Sequence, residues 1–187
     1  MAPRQAVSWF SANNDYPAAP RAIEIFTDGS YVDWNRAAGC GFVFWERDHW
    51  ACRAFALGQV TGSAASRGQG SQDAEKWGIL YALDWVKSNW APTGGFDVVI
   101  LRVDSTYAIG DIVWEYEQRS ELMHDPIEDE IVDLIHQLAD AGITVQMLHV
   151  PRDSCRGNQL ADWCAWNGRV ATEEGHDSYV YFGRVED

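Results

Sequence analysis

Four acids in this chain sit in local settings suited to chemistry: Asp28 in Thr27-Asp28-Gly29-Ser30, Glu75 in Gln72-Asp73-Ala74-Glu75, Asp104 in Val103-Asp104-Ser105, and Asp162 in Asn158-Gln159-Leu160-Ala161-Asp162. A carboxylate that closes an apolar strand is costly if it is buried without a partner. Taken alone, Asp28 followed by Gly29 reads equally well as the start of a turn. Four such acids brought into one cleft would repel each other unless a cation sat between them. Hard oxygen ligands suit Mg²⁺, with Mn²⁺ as a substitute. Two such ions can stabilise both the attacking and the leaving oxygen of a phosphodiester displacement.

The acids are far apart in the chain, so the fold must bring them together. Residues 22–27 alternate as a strand, and 39–45 and 50–57 read as two more, joined by the short polar Glu46-Arg47-Asp48-His49 as a hairpin. The Gly-, Ser- and Gln-rich stretch 58–72 reads as loop, and 73–88 as an amphipathic helix. Residues 96–103 form a strand, 105–117 a helix, and Asp125-Pro126 opens another helix that ends at Gly142. A strand at 143–150, a loop at 151–157 and a helix at 158–166 complete the order. These elements imply an α/β fold with a mixed five-stranded sheet and helices on both faces. Two parallel strands ending side by side would set Asp28 beside Asp104, and the helix that follows the loop would present Glu75. Residues 1–21 read as an irregular arm, 22–168 as the domain, and 169–187 as an acidic tail.

The chain has 187 residues, 47% hydrophobic and 22% charged, which is one globular domain rather than a disordered chain. No apolar run approaches the ~20 residues needed to span a bilayer, so no membrane role is expected. Cys40, Cys52, Cys155 and Cys164 lack zinc-site spacing, and reduced thiols in an intracellular setting are expected. The formal charge of −14 opposes phosphate binding, so any nucleic-acid role must draw attraction from bound metal or a local basic site.

The four motifs, in this order and on these elements, resemble those of the ribonuclease H family, type 1, over residues 22–168. The resemblance implies a metal-dependent endonuclease that cuts the RNA strand of an RNA–DNA hybrid and leaves 3′-hydroxyl and 5′-phosphate ends; a monomer is expected. It implies two Mg²⁺ ions, with Asp28 shared between them, Glu75 and Asp104 on one, and Asp162 on the other. Glu75 would also meet a 2′-hydroxyl, the group that tells RNA from DNA. Gly29, Ser30, Asn35, Arg36, Gln72, Ser105, Arg152, Arg156 and Asn158 are the expected substrate contacts.

The chain also departs from the family pattern. The loop 151–157 has no His where relatives often carry one, so Arg152 or Arg156 is the candidate phosphate ligand. The basic protrusion of some members is missing. Glu115, Glu117, Glu121, Asp125, Glu128, Asp129 and Glu130 occupy that region and read as a solvated acidic face. That face supports a rival reading, a catalytically weak module of the same fold that binds a protein partner of unknown identity.

Overall fold

The computed structural model describes residues 7–10, 21–59, 69–118, 125–176 and 180–186. Its strands are β1 (Val7–Phe10), β2 (Ala22–Tyr31), β3 (Ala37–Glu46), β4 (His49–Gln59), β5 (Val98–Val103), β6 (Thr144–His149) and β7 (Val180–Val185). Its helices are α1 (Gln69–Asn89), α2 (Thr106–Gln118), α3 (Pro126–Asp140) and α4 (Arg156–Glu173). The strands form one mixed sheet in the order β1-β6-β5-β2-β3-β4-β7. β2, β5, β6 and β1 run parallel, and β3, β4 and β7 continue the sheet antiparallel from β2.

Period-2 alternation sorts the strand residues between two helical layers. Ile23, Ile25, Phe42, Phe44, Val99, Leu101, Val145 and Met147 pack under α1, α2 and α3, against residues such as Ile79, Leu83, Ile112 and Ile135. Phe26, Val43, Cys52 and Ala54 face the other way and pack under α4, against Leu160, Ala161 and Cys164. On that side the helix lies directly on β3. A Cβ on Gly39 would stand 2.0 Å from the Arg169 backbone nitrogen, so only glycine permits this approach.

The five strands expected from sequence form the centre of the sheet, and two edge strands are added to them. Val7–Phe10, within the stretch read as an irregular arm, pairs parallel with β6. Val180–Val185, within the stretch read as a tail, pairs antiparallel with β4. Both are short, and edge pairing supplies stability that a short run has no means to show in its own pattern.

Three boundaries also move. β2 does not stop at residue 27 but continues to Tyr31, because β3 goes on pairing with it after β5 has ended. α1 begins at Gln69 rather than residue 73, with Gly70 seated against the Tyr31 ring. The loop expected at 58–72 is thereby shortened, and residues 60–68 lie outside the described residues. α4 runs from Arg156 to Glu173, past both ends of the stretch expected from sequence. All four cysteines are free thiols. No helix among the described residues is long and apolar enough to cross a membrane.

Candidate metal centre

The parallel pair β2 and β5 ends with Thr27 opposite Val103. Asp28 and Asp104 are the next residues on each chain, so the sheet itself sets the two carboxylates side by side. β2 carries on through Asp28, which lies opposite Gly41 of β3. Its side chain is fully buried, and its Oδ1 accepts a hydrogen bond from Gly29 N at 2.8 Å.

The third acid arrives with α1. A Cβ on Gly29 would lie 2.2 Å from the Glu75 backbone nitrogen, and one on Gly78 would lie 2.9 Å from the Asp28 carbonyl oxygen. These two glycines let α1 rest on β2 backbone to backbone, which brings Glu75 over the strand beside Asp28. One carboxylate oxygen from each of Asp28, Glu75 and Asp104 lies within 4.8 Å of the others.

The electrostatics of this group are those of a site short of positive charge. Burial, then the charge of Asp104, pushes the Asp28 carboxyl up to about 7, against an opposing hydrogen bond from Glu75. Burial, then the charges of Asp28 and Asp104, holds Glu75 well above the usual carboxylate range. Asp28 Oδ2 and Glu75 Oε2 are buried with no hydrogen-bond partner among the described residues. Buried polar atoms of native proteins are rarely left so. Three converging carboxylates, two of which carry an orphaned buried oxygen, fit a hard divalent cation that would offset the repulsion.

Asp162 stands apart from this trio. It lies on α4, is exposed, and is not one of the three that meet. Its negative charge still reaches the site, since it contributes to raising Asp28.

The expected substrate contacts divide into held and open side chains. Ser30 Oγ accepts from Arg169 Nε at 3.1 Å, and Asn35 Nδ2 donates to Glu173 Oε1 at 3.3 Å. Ser105 Oγ accepts from Ala108 N at 3.2 Å, which caps α2. Asn158 is buried, and its Oδ1 accepts from Asp153 N at 2.8 Å, so it shapes the loop from behind rather than offering itself at the surface. Arg36 is exposed, with a left-handed φ of 57°, and Gln72 is half-buried in the first turns of α1. Arg156 is exposed at the start of α4, where it lines a groove with Gln159, Leu160, Trp163 and Val185. Arg152 turns inward, with its Nε 3.3 Å from Asp104 Oδ2. Burial pulls its guanidinium down, but the charges of Asp104, Asp28 and Asp162 more than reverse this and leave it raised.

The acidic face expected around 115–130 is solvated only in part: among the described residues Glu117 and Glu130 are exposed, and the other acids turn inward or are half-buried. Glu115 and Glu128 are buried, and Asp125 caps α3 by accepting from Ile127 N at 2.9 Å. Lys76, next to Glu75 on α1, reaches Asp111 at 3.2 Å, Asp125 at 3.4 Å and Glu128. This buried lysine gathers α1, α2 and α3 around one positive charge. Sequence reading missed it, although the signal was there: Lys76 is one of only two lysines in an acidic chain, and it follows Glu75 directly. Glu121 and His124 lie outside the described residues, and His136 stacks on Tyr116 with ring centroids 5.2 Å apart.

Comparison with known proteins agrees with this geometry. The family model described as RNase H matches residues 20–169. The RNase H1 of the halophilic archaeon Halobacterium salinarum superposes with a TM-score of 0.53 at 21% identity, covering 79% of this chain and 96% of that one. The N-terminal RNase H domain of Rv2228c from Mycobacterium tuberculosis, solved as a fusion with maltose-binding protein, gives 0.56 at 23% identity, covering 82% and 97%. LC11-RNase H1, solved in complex with an RNA/DNA hybrid, gives 0.51 at 18% identity, covering 78% and 97%. No curated protein sequence matches the chain. The structural likenesses establish the fold, the family model spans most of the chain, and the acids of that model's span meet where β2 and β5 end: the chain belongs to the ribonuclease H family.

Proposed function

We propose that this protein is a metal-dependent ribonuclease H that hydrolyses the RNA strand of RNA–DNA hybrids and leaves 3′-hydroxyl and 5′-phosphate ends. The observation that carries the reading is the Asp28, Glu75 and Asp104 group, buried, short of positive charge and held on a ribonuclease H fold. Bound divalent ions would supply Lewis acidity for the attacking water and the leaving 3′-oxygen. Asp28, Glu75 and Asp104 would hold one ion, Mg²⁺ or Mn²⁺, and Asp162 with Asp28 a second. Asp162 suits that part because it is exposed on α4 and already within electrostatic reach of Asp28.

The chain's own residues set the rest. The β2–β5 register fixes the distance between Asp28 and Asp104, and the close seat of α1 at Gly29 and Gly78 fixes Glu75. Buried carboxylates locked by packing cost little reorganisation when charge develops at the reacting phosphate. Arg36, Gln72 and Arg156 are the side chains open to meet a duplex backbone or groove edge, with Arg152 held on Asp104 beside them and Ser30, Asn35 and Ser105 bracing the surfaces between. A monomer is expected to suffice, since all the acids come from one chain.

The chemistry of the cut ends tests this reading. RNA fragments from a hybrid treated with the protein and Mg²⁺ should carry 3′-hydroxyls that a polymerase extends and 5′-phosphates that a ligase accepts. Fragments ending in 2′,3′-cyclic phosphate would mean that the 2′-hydroxyl, not water, is the nucleophile, and would overturn it.

A further inference from the structure

The turn that carries Arg152 is built rather than loose. Ser154 N donates to Pro151 O at 3.1 Å, and Asp153 N donates to Asn158 Oδ1 at 2.8 Å. Asp153 adopts a left-handed φ of 57°, a conformation uncommon outside glycine and tolerated best by Asn and Asp. Gln159 Nε2 donates to the Asp153 carbonyl at 3.4 Å. The anchor of this turn, Asn158, is 1% exposed in the first turn of α4.

The turn aims Arg152 at one oxygen. Its Nε lies 3.3 Å from Asp104 Oδ2, and the Asp104 side chain is 8% exposed while that of Arg152 is 66% exposed. The guanidinium therefore has one edge on a nearly buried carboxylate and the rest in water. It also acts on Glu75, whose raised carboxyl it draws back towards ordinary values, against the larger effects of burial and of Asp28 and Asp104.

We propose that Arg152 is a tethered counter-ion of the carboxylate cluster, displaced from Asp104 when a divalent cation binds, so that metal loading and release of Arg152 are a single exchange. This rests on the metal reading given above. Asp104 has little exposed surface with which to serve both cations at once. The guanidinium brings one positive charge to the cluster, whereas a divalent ion placed between the carboxylates would bring two and give the orphaned oxygens a partner. Because Arg152 is mostly exposed, its ion pair is a weak one and is readily exchanged. Once released, it stands at the mouth of the site with its donors free for a phosphate oxygen.

The test is Mn²⁺ binding by isothermal titration near neutral pH and at low salt, with the parent, Arg152→Gln and Arg152→Lys. All three are compared in chelator by thermal melting to show that they fold. Removing the competitor should tighten Mn²⁺ binding by Arg152→Gln about three- to tenfold, and the gain should shrink as salt screens the pair. Arg152→Lys keeps the positive charge and should stay within about twofold of the parent. A merely structural role would move the melting temperature without separating Gln from Lys in metal affinity. Equal or weaker binding by Arg152→Gln would overturn the exchange while leaving the metal site standing. Absence of Mn²⁺ binding in all three proteins would overturn the metal site and the exchange together.

Discussion

Asp28→Asn should lose hybrid cleavage by about a thousandfold or more, a loss of ~4 kcal/mol in transition-state stabilisation, and yet melt at a higher temperature than the parent in chelator at neutral pH. The two effects share one cause. Asp28 is fully buried, and its carboxyl is raised from 3.8 to about 7, chiefly by burial and by Asp104. A raised folded value means that the folded protein holds more protons than the unfolded chain. The stability this confers is complete below the unfolded value and is lost as pH climbs from about 4 through about 7. Above that window the metal-free fold carries an ionised, repelled carboxylate. The neutral amide of the variant carries no such charge, so the variant should gain on the order of 1–3 kcal/mol there, read as a rise of a few degrees in melting temperature. Because Asp28, Glu75 and Asp104 interact, they titrate as a set, and the pH profile should broaden rather than follow one group. Added Mg²⁺ or Mn²⁺ should narrow or invert the difference, because metal stabilises only the fold that binds it. A variant that cleaves like the parent, or that melts lower in chelator at every pH, would contradict the assignment.

Lys76→Met should be the most destabilising of the conservative-volume changes near the site. Lys76 is 4% exposed, and its ammonium meets Asp111, Asp125 and Glu128. Burial alone would lower it, but the Glu128 hydrogen bond and the three negative charges outweigh that and leave it raised. Burial raises Glu128 even with Lys76 opposite, so this carboxylate depends on its partner. Removing one partner of a buried pair leaves uncompensated charge and costs about 3–5 kcal/mol, or very roughly 6–20 °C in melting temperature for a chain of this size. The loss should shrink toward pH 4, as Glu128 takes up a proton. Thermal melts of parent and variant across pH would check both parts. A shift under about 2 °C at neutral pH, below the smallest change expected for 1 kcal/mol, would show that the lysine is not the centre of this network.

The sequence showed the chemistry more plainly than the edges of the fold. Asp28 and Asp104 were legible because one closes the alternating run 22–27 and the other the apolar run 98–103, and parallel pairing then needs only one register to bring them together. Glu75 was legible as an acid near the start of an amphipathic helix, even though α1 begins earlier, at Gln69. The close seat of that helix was written in Gly29 and Gly78, but a glycine shows what it permits only once its neighbour is known. Asp162 was placed on the correct helix, while its exposure outside the trio depends on how α4 lies over β3 and β4. Val180–Val185 carried β-favouring aromatics, but its partner is β4, far back in the chain. The acidic run near 115–130 was legible only in part: Glu117 and Glu130 are exposed as charge in sequence suggests, but Glu115 and Glu128 are buried. Glu128 is buried there because one lysine from another helix meets it.

The most direct test of the central claim is a single cleavage assay. A labelled RNA strand is presented in an RNA–DNA hybrid, alone, and in an RNA duplex, each with Mg²⁺ and with chelator. A metal-loaded carboxylate site on this fold predicts cutting of the hybrid alone, and only with metal. A folded protein that leaves the hybrid intact in both Mg²⁺ and Mn²⁺, or that cuts it equally well in chelator, would contradict the account.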